Sequence, residues 1–135
     1  MRRLIGLAQG TPRDGVLAAQ DPLVRDRLAE LWIDVQAFRF TIYRSFSAVL
    51  KTGIPGPEGS VAKLFWSEVN QRLTKTALEI EGSFAMLGAG SDLAVDDGRW
   101  QNAQLRSRGN TIEAGTSEIL RNIIAERVLG LPKSR

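Results

Sequence analysis

Asp21-Pro22-Leu23-Val24-Arg25-Asp26-Arg27-Leu28-Ala29-Glu30-Leu31 decides the fold class. Asp21 suits an N-cap, and Pro22 falls at the first helical position, where its missing N–H costs nothing. Val24, Leu28, Leu31, Val35, Phe38, Ile42, Phe46 and Val49 then recur at alternating steps of three and four. That spacing puts them on one side of a helix. Arg25, Asp26, Glu30, Asp34 and Arg44 fall mostly off the stripe. Lys51-Thr52-Gly53, with Pro55 just beyond, closes the helix, which is about 45 Å long at 1.5 Å per residue.

Downstream, Ile54-Pro55-Gly56-Pro57-Glu58-Gly59-Ser60 predicts a tight connection. A second long helix from about Ser60 carries Val61, Phe65, Val69, Leu73, Ala77, Ile80 and Phe84 on one face. Two long helices joined by a short loop pack antiparallel. A coiled coil is the rival, since the stripe period is near 3.5; the short loop and the aromatic residues in the stripe favour a bundle. Trp32, Phe38, Phe40, Phe46, Phe65 and Trp66 stand at helical spacing and are expected in the core. Trp100 suits a bundle cap or an interface equally.

Gly88-Ala89-Gly90-Ser91-Asp92 and Asp96-Asp97-Gly98 bound an irregular segment. A shorter helix is expected from Arg99 to about Arg108, broken by Gly109-Asn110. A last helix opens at Gly115-Thr116-Ser117-Glu118, carries Ile119, Leu120, Ile123, Ile124 and Val128, and stops at Gly130 and Pro132. The residues before Thr11 look like the remnant of another helix, and residues 11–20 like a loop. There is no internal repeat and no strand alternation. The expected fold is all-α, an antiparallel helical bundle of two long and two or three shorter helices, one domain over residues 1–135.

Composition narrows the chemistry. A chain of 135 residues is one domain with one core. It contains neither Cys nor His, which excludes disulfides, thiol chemistry, the usual zinc sites and any Ser-His or Cys-His nucleophile pair. The formal net charge is only +3 despite the sequence pI of 9.8. Asp26, Glu30, Asp34, Glu68, Glu79 and Glu81 interrupt any continuous basic face, so no nucleic-acid partner is expected. The short apolar run after Met1-Arg2-Arg3 is broken too soon by Gln9, Thr11 and Arg13 for a signal peptide. No stretch approaches the roughly 20 apolar residues of a membrane span. The expectation is a cytoplasmic protein.

The segment with chemical content is Gly109-Asn110-Thr111-Ile112-Glu113-Ala114-Gly115-Thr116-Ser117-Glu118. It is a polar, Gly-containing loop entering a helix N-terminus, where free N–H groups attract anions. Thr116 suits the N-cap, and Glu118 in the first turn suits the helix dipole.

Thr111 to Ile119, followed by Arg121-Asn122-Ile123-Ile124-Ala125-Glu126-Arg127-Val128-Leu129-Gly130-Leu131-Pro132, closely resembles the C-terminal signature of acyl-CoA dehydrogenases. Asp97-Gly98-Arg99-Trp100-Gln101 and Pro57-Glu58-Gly59-Ser60-Val61-Ala62-Lys63 resemble the same family, especially its actinobacterial members. The resemblance covers nearly the whole chain beyond Pro22. It implies an FAD enzyme built from an N-terminal helical domain, a middle β domain and a C-terminal helical bundle, of which this chain is the last. It implies oxidation of the Cα–Cβ bond of an acyl-CoA thioester, with a carboxylate taking the α-proton and the flavin taking the β-hydrogen as hydride. Electron-transfer flavoprotein and sister or identical subunits are the implied partners, and a self-associating surface is expected.

The resemblance also implies site residues. Gly115, Thr116 and Glu118 match positions that approach the flavin nucleotide, and Gly82 matches the first Gly of a Gln–Gly–Gly element that reaches the FAD of a neighbouring subunit. In that element Glu79 stands for Gln and Ser83 for the second Gly. A carboxylate there would repel pyrophosphate unless paired with an Arg. Of an Arg-rich turn in relatives, only Arg13 is kept. The slot that holds the catalytic Glu in many members is Ala114. Three sources of the base stay open: Glu113, one residue away; an earlier helix of the same domain, as in isovaleryl-CoA dehydrogenase; or a partner subunit. In the last case the chain is a non-catalytic helical partner of a complete dehydrogenase.

Overall fold

The computed structural model describes residues 1–13 and 15–133. Asp14, in the expected loop, and the last two residues of the expected domain lie outside the described residues. Among the described residues five α-helices carry the fold: α1 (Arg2–Gly10), α2 (Pro22–Thr52), α3 (Glu58–Glu81), α4 (Arg99–Asn110) and α5 (Ser117–Ile123). Residues 11–13 and 15–20 hold more order than the expected loop. Strands β1 (Pro12–Arg13) and β2 (Val16–Leu17) pair antiparallel, and a 3₁₀ turn over Ala18–Gln20 leads into α2.

The limits of α2 obey the capping chemistry. The Asp21 side chain accepts from the Leu23 N–H at 2.8 Å, and Gly53, at φ +72°, receives the chain in the left-handed region that ends a helix. α3 begins at Glu58, two residues before the expected Ser60, and ends at Glu81. Gly82, at φ +59°, turns the chain into a 3₁₀ stretch over Gly82–Met86, so Phe84 leaves the stripe and is exposed.

The antiparallel packing of α2 on α3 is visible in its cross-links. Arg27 pairs with Glu79, Arg72 with Asp34 at 2.8 Å, and Phe38 stacks on Phe65 with centroids 6.4 Å apart. The core gathers Leu4, Leu7 and Ala8 of α1, Val24 and Leu31 of α2, Ala77 and Ile80 of α3, and Trp100 of α4. Trp100 is therefore a core residue. Several expected core aromatics are not: Trp32, Phe40, Phe46 and Trp66 are exposed.

α4 runs through Gly109 and Asn110, which were expected to break it. The Asn110 side chain gains partners that a loop Asn would lack, accepting from Asn70 Nδ2 at 2.9 Å and donating to Glu113 at 2.6 Å. Before α4, Asp96 (φ +48°), Asp97 (φ +52°) and Gly98 (φ +70°) turn successively through left-handed backbone. Only Gly serves at 98, because a Cβ would lie 2.5 Å from the Ala89 backbone nitrogen.

Candidate functional site

α4 delivers the chain into the 111–116 loop, and α5 carries it away. The Ile112 and Glu113 amides both bond to the Gly109 carbonyl, and the Ser117 amide closes back onto the Thr111 carbonyl at 3.2 Å. Between these bonds Ala114 (φ +54°) and Gly115 (φ +103°) make two successive left-handed steps. At Gly115 the nearest neighbour of an added Cβ would be Leu120 Cδ2 at 3.5 Å, an ordinary contact. Backbone conformation, not crowding, therefore selects Gly there. Thr116 is the N-cap expected from sequence, its hydroxyl accepting from the Ile119 N–H at 3.3 Å.

The structure gives each candidate residue a definite setting. The Glu113 carboxylate accepts from Arg106 Nη2 through both oxygens, at 2.9 and 2.8 Å, and from Asn110 Nδ2 at 2.6 Å. Those two donors, Arg106 first, hold its pKa below the ordinary 4.5. Glu118 is also held low, by its own backbone N–H and then by the Thr116 hydroxyl. Ala114 is exposed. The Gly115 carbonyl accepts from Lys63 Nζ at 2.7 Å.

Thr116 and Glu118 share an open cleft of about 370 Å³ with Glu68, Gln71, Thr111 and Arg121. Arg121 is spent inside it, 2.5 Å from Glu68 and 3.9 Å from Glu118. Two carboxylates thus face one guanidinium. A flavin pyrophosphate, itself dianionic, does not fit on these residues alone. α5 is seven residues long before it widens into a π-turn over Ile124–Val128.

Gly82 belongs to another place. It caps α3, eleven residues beyond Gln71 and so about 16 Å farther along the helix. The chain does not bring Gly82 together with Gly115, Thr116 and Glu118. Beside it, Glu79 pairs with Arg27 and lies 3.8 Å from Lys75 Nζ, which supplies the neutralisation that a carboxylate needs at that position. Glu81 is buried, with Oε2 accepting from Gln101 Nε2 at 2.7 Å. Sequence reasoning gave no role to Lys63, Arg106 and Asn110 in shaping the loop; the one available signal was that Lys63 ends a family-like segment.

Among the described residues no group of His, Cys, Asp and Glu is placed to hold a metal ion. No helix there is long and apolar enough to cross a membrane.

Residues 1–129 match the family model described as acyl-CoA dehydrogenase, C-terminal domain. The chain is 41% identical over 120 residues to acyl-CoA dehydrogenase IpdE1 of Mycolicibacterium smegmatis, covering 86% of this chain and 27% of that protein. It is 36% identical over 140 residues to IpdE1 of Mycobacterium tuberculosis, covering 98% and 32%. The chain thus spans about a third or less of the length of these relatives. Two solved structures share the fold. The Tcur3481-Tcur3483 steroid ACAD matches with a TM-score of 0.85 at 24% identity, over 98% of this chain and 33% of that one. The ChsE4-ChsE5 complex from Mycobacterium tuberculosis matches with 0.84 at 24%, over 99% and 34%. By its sequence match from α1 through α5 the chain belongs to the acyl-CoA dehydrogenase family, of which it carries the C-terminal helical domain.

Proposed function

We propose that this chain acts as the C-terminal domain of an FAD-dependent dehydrogenase of acyl-CoA thioesters, and that it works only when assembled with further protein. The observation that carries the reading is the 111–116 loop, whose left-handed Ala114-Gly115 turn is delivered by α4 and closed by the Thr116 cap within the family-matched region. The flavin comes from the family. The cleft beside the loop lacks spare positive charge, so the groups that neutralise the pyrophosphate belong to other segments or another chain.

Glu113 is a loop strut in this proposal, not the base. Its carboxylate is already held by Arg106 and Asn110, and a pKa below the ordinary range makes it a poor proton acceptor at neutral pH. Ala114 has no acidic group. The α-proton acceptor is then supplied from outside residues 1–135. The same observation favours a second reading, a non-catalytic subunit that completes a sister subunit. The ChsE4-ChsE5 complex joins two named partners and shares this fold, which gives that reading a precedent of fold.

Assembly has support in the surface. The accessible area is 9133 Å² for 14.8 kDa, whereas a compact monomer of that mass exposes about 7,000 Å². Trp32, Ile33, Phe40, Tyr43 and Leu50 are exposed along α2, and so is Phe46 from the expected core stripe. Asp26 and Glu30 stand in the first half of the helix, Arg44 and Lys51 in the second. Arg25 and Arg27 also stand in the first half and Asp34 adds a third acid, so an antiparallel α2 from a second copy would set a mixed, slightly acidic half against a basic one.

The test is reconstitution. The chain is co-expressed with acyl-CoA dehydrogenase subunits from the same genome, and dye-linked oxidation of acyl-CoA is measured with and without it, bulky steroid-derived thioesters first. Co-purification with flavin and chain-dependent turnover support the domain reading. Co-purification with unchanged turnover selects the non-catalytic partner. Saturable FAD binding by the chain alone would refute the need for further protein.

A further inference from the structure

We infer that Lys63 is a positioning residue, which presets the Ala114-Gly115 turn from α3 before anything binds to it. Two left-handed residues in succession, one of them Ala, do not hold themselves; such backbone persists only where its surroundings over-determine it. The surroundings here are two pins, one at Gly115 and one at Glu113.

The first pin is the Lys63 ammonium. It donates to the Gly115 carbonyl at 2.7 Å across a sequence gap of 52 residues, in a partly buried setting. Lys63 shares with Phe38, Ile42, Ala62 and Trp66 the lining of a largely apolar groove, while its cationic end reaches the loop. The second pin is a chain of bonds that also begins on α3. Asn70 Nδ2 donates to Asn110 Oδ1, Asn110 Nδ2 donates to Glu113, and Arg106 closes on the same carboxylate. Gln71 Nε2 adds a bond to Thr111 Oγ1 at 3.2 Å. Lys63, Asn70 and Gln71 are spaced seven and one along α3, so a single helix face sets the loop on both sides of the turn.

A charged donor on a partly buried carbonyl is among the stronger hydrogen bonds. Lys63 therefore does more for this turn than the exposed Arg106–Glu113 pair. What the turn positions in catalysis rests on the proposed function; that Lys63 sets the turn does not, and the test reads the turn alone.

Backbone amide exchange is measured on the 135-residue chain and on Lys63→Met and Lys63→Arg. In Lys63→Met the Ser117 and Ile119 amides, which close the loop and the cap, exchange about tenfold faster or more. The Ala77 and Ile80 amides in the core of α3 keep their rates, and Lys63→Arg restores protection at Ser117 and Ile119. Unchanged rates at those two amides in Lys63→Met overturn the inference. So does acceleration spread evenly along α3, which would mark Lys63 as a general stabiliser. If Lys63→Met loses its helical circular dichroism, Lys63→Gln replaces it under the same criteria. Arg106→Met removes the exposed pin without touching α3 and should accelerate the same amides less than Lys63→Met; a larger effect also overturns the ranking of Lys63.

Discussion

The seam between α3 and α4 and the outer face of α2 invert the usual placement of residues. The seam is buried and polar. Thr74, Gln104, Ser107 and Asn110 are all nine-tenths or more buried, and each finds a partner: the Thr74 hydroxyl donates to Gln104 Oε1 at 2.5 Å, Ser107 donates to the Gln104 carbonyl at 2.7 Å, and Asn110 joins Asn70 to Glu113. The outer face of α2 is exposed and apolar, with Phe40 at 64%, Phe46 at 65% and Leu50 at 86% of full exposure. A polar group leaves water at little cost when it is bonded, so these four residues of the seam are satisfied within this chain. An apolar group gains nothing until it is covered, so the α2 face is complete only with something outside the chain. The first region specifies how the helices fit each other, the second how the domain meets its surroundings.

Substitutions sharpen that contrast. The largest effect is expected in the apolar core that the two regions share. Ile80→Ala removes a side chain that is 2% exposed and should cost about 3 kcal/mol in denaturant unfolding; a loss under about 1 kcal/mol would mean that the packing of α3 on α1 is loose. Thr74→Val comes next, at about 2 kcal/mol, because it leaves the buried Gln104 Oε1 without its donor. A neutral outcome would break the claim that the seam depends on satisfied polar groups.

Glu81 is where the seam is incomplete, and its signature is a pH dependence. The carboxyl is 2% exposed, and its Oε1 has no partner among the described residues. Burial, and then the nearby Asp96, push its pKa above the ordinary 4.5 against the lowering bond from Gln101. The folded state thus holds this proton more tightly than the unfolded chain does. Stability from this group is full below about 4.5 and falls as pH rises through the raised folded value. Glu81→Gln cannot ionise, so its stability relative to the parent should grow between acid and neutral pH. A difference that is flat with pH would mean the carboxyl titrates normally. The smallest effect on folding belongs to α2: Phe40→Ser with Phe46→Ser should stay within about 0.5 kcal/mol of the parent. It should nonetheless convert an associated chain into a monomer in sedimentation. Unchanged association would send the search for the contact surface elsewhere.

Much of the loop was legible because its signals are local. Thr116 caps, Gly115 takes positive φ, and Gly53 and Gly130 end helices, each for reasons held within a few residues. Asn110 was misread for the same reason. Taken locally it breaks a helix, and only Asn70 on α3 supplies the bond that lets the helix pass. The aromatics of α2 were misassigned because helical spacing names a face but not what covers it. Phe38 meets Phe65, while Phe40 meets only Tyr43 of its own helix among the described aromatic pairs, and Phe46, though on the expected stripe, stays exposed.

The sequence alone determined the all-α class, the two long helices, their caps and the closing motif, since each follows from periodicity or from bonds between near neighbours. Tertiary structure decided the rest. It joined Lys63 to Gly115, and it set Arg106 and Asn110 on the carboxylate of Glu113. It also set Gly82 apart from Gly115, Thr116 and Glu118. Hydrogen bonds and ion pairs across tens of residues depend on how helices pack, and no local pattern in the chain encodes which polar ends will meet.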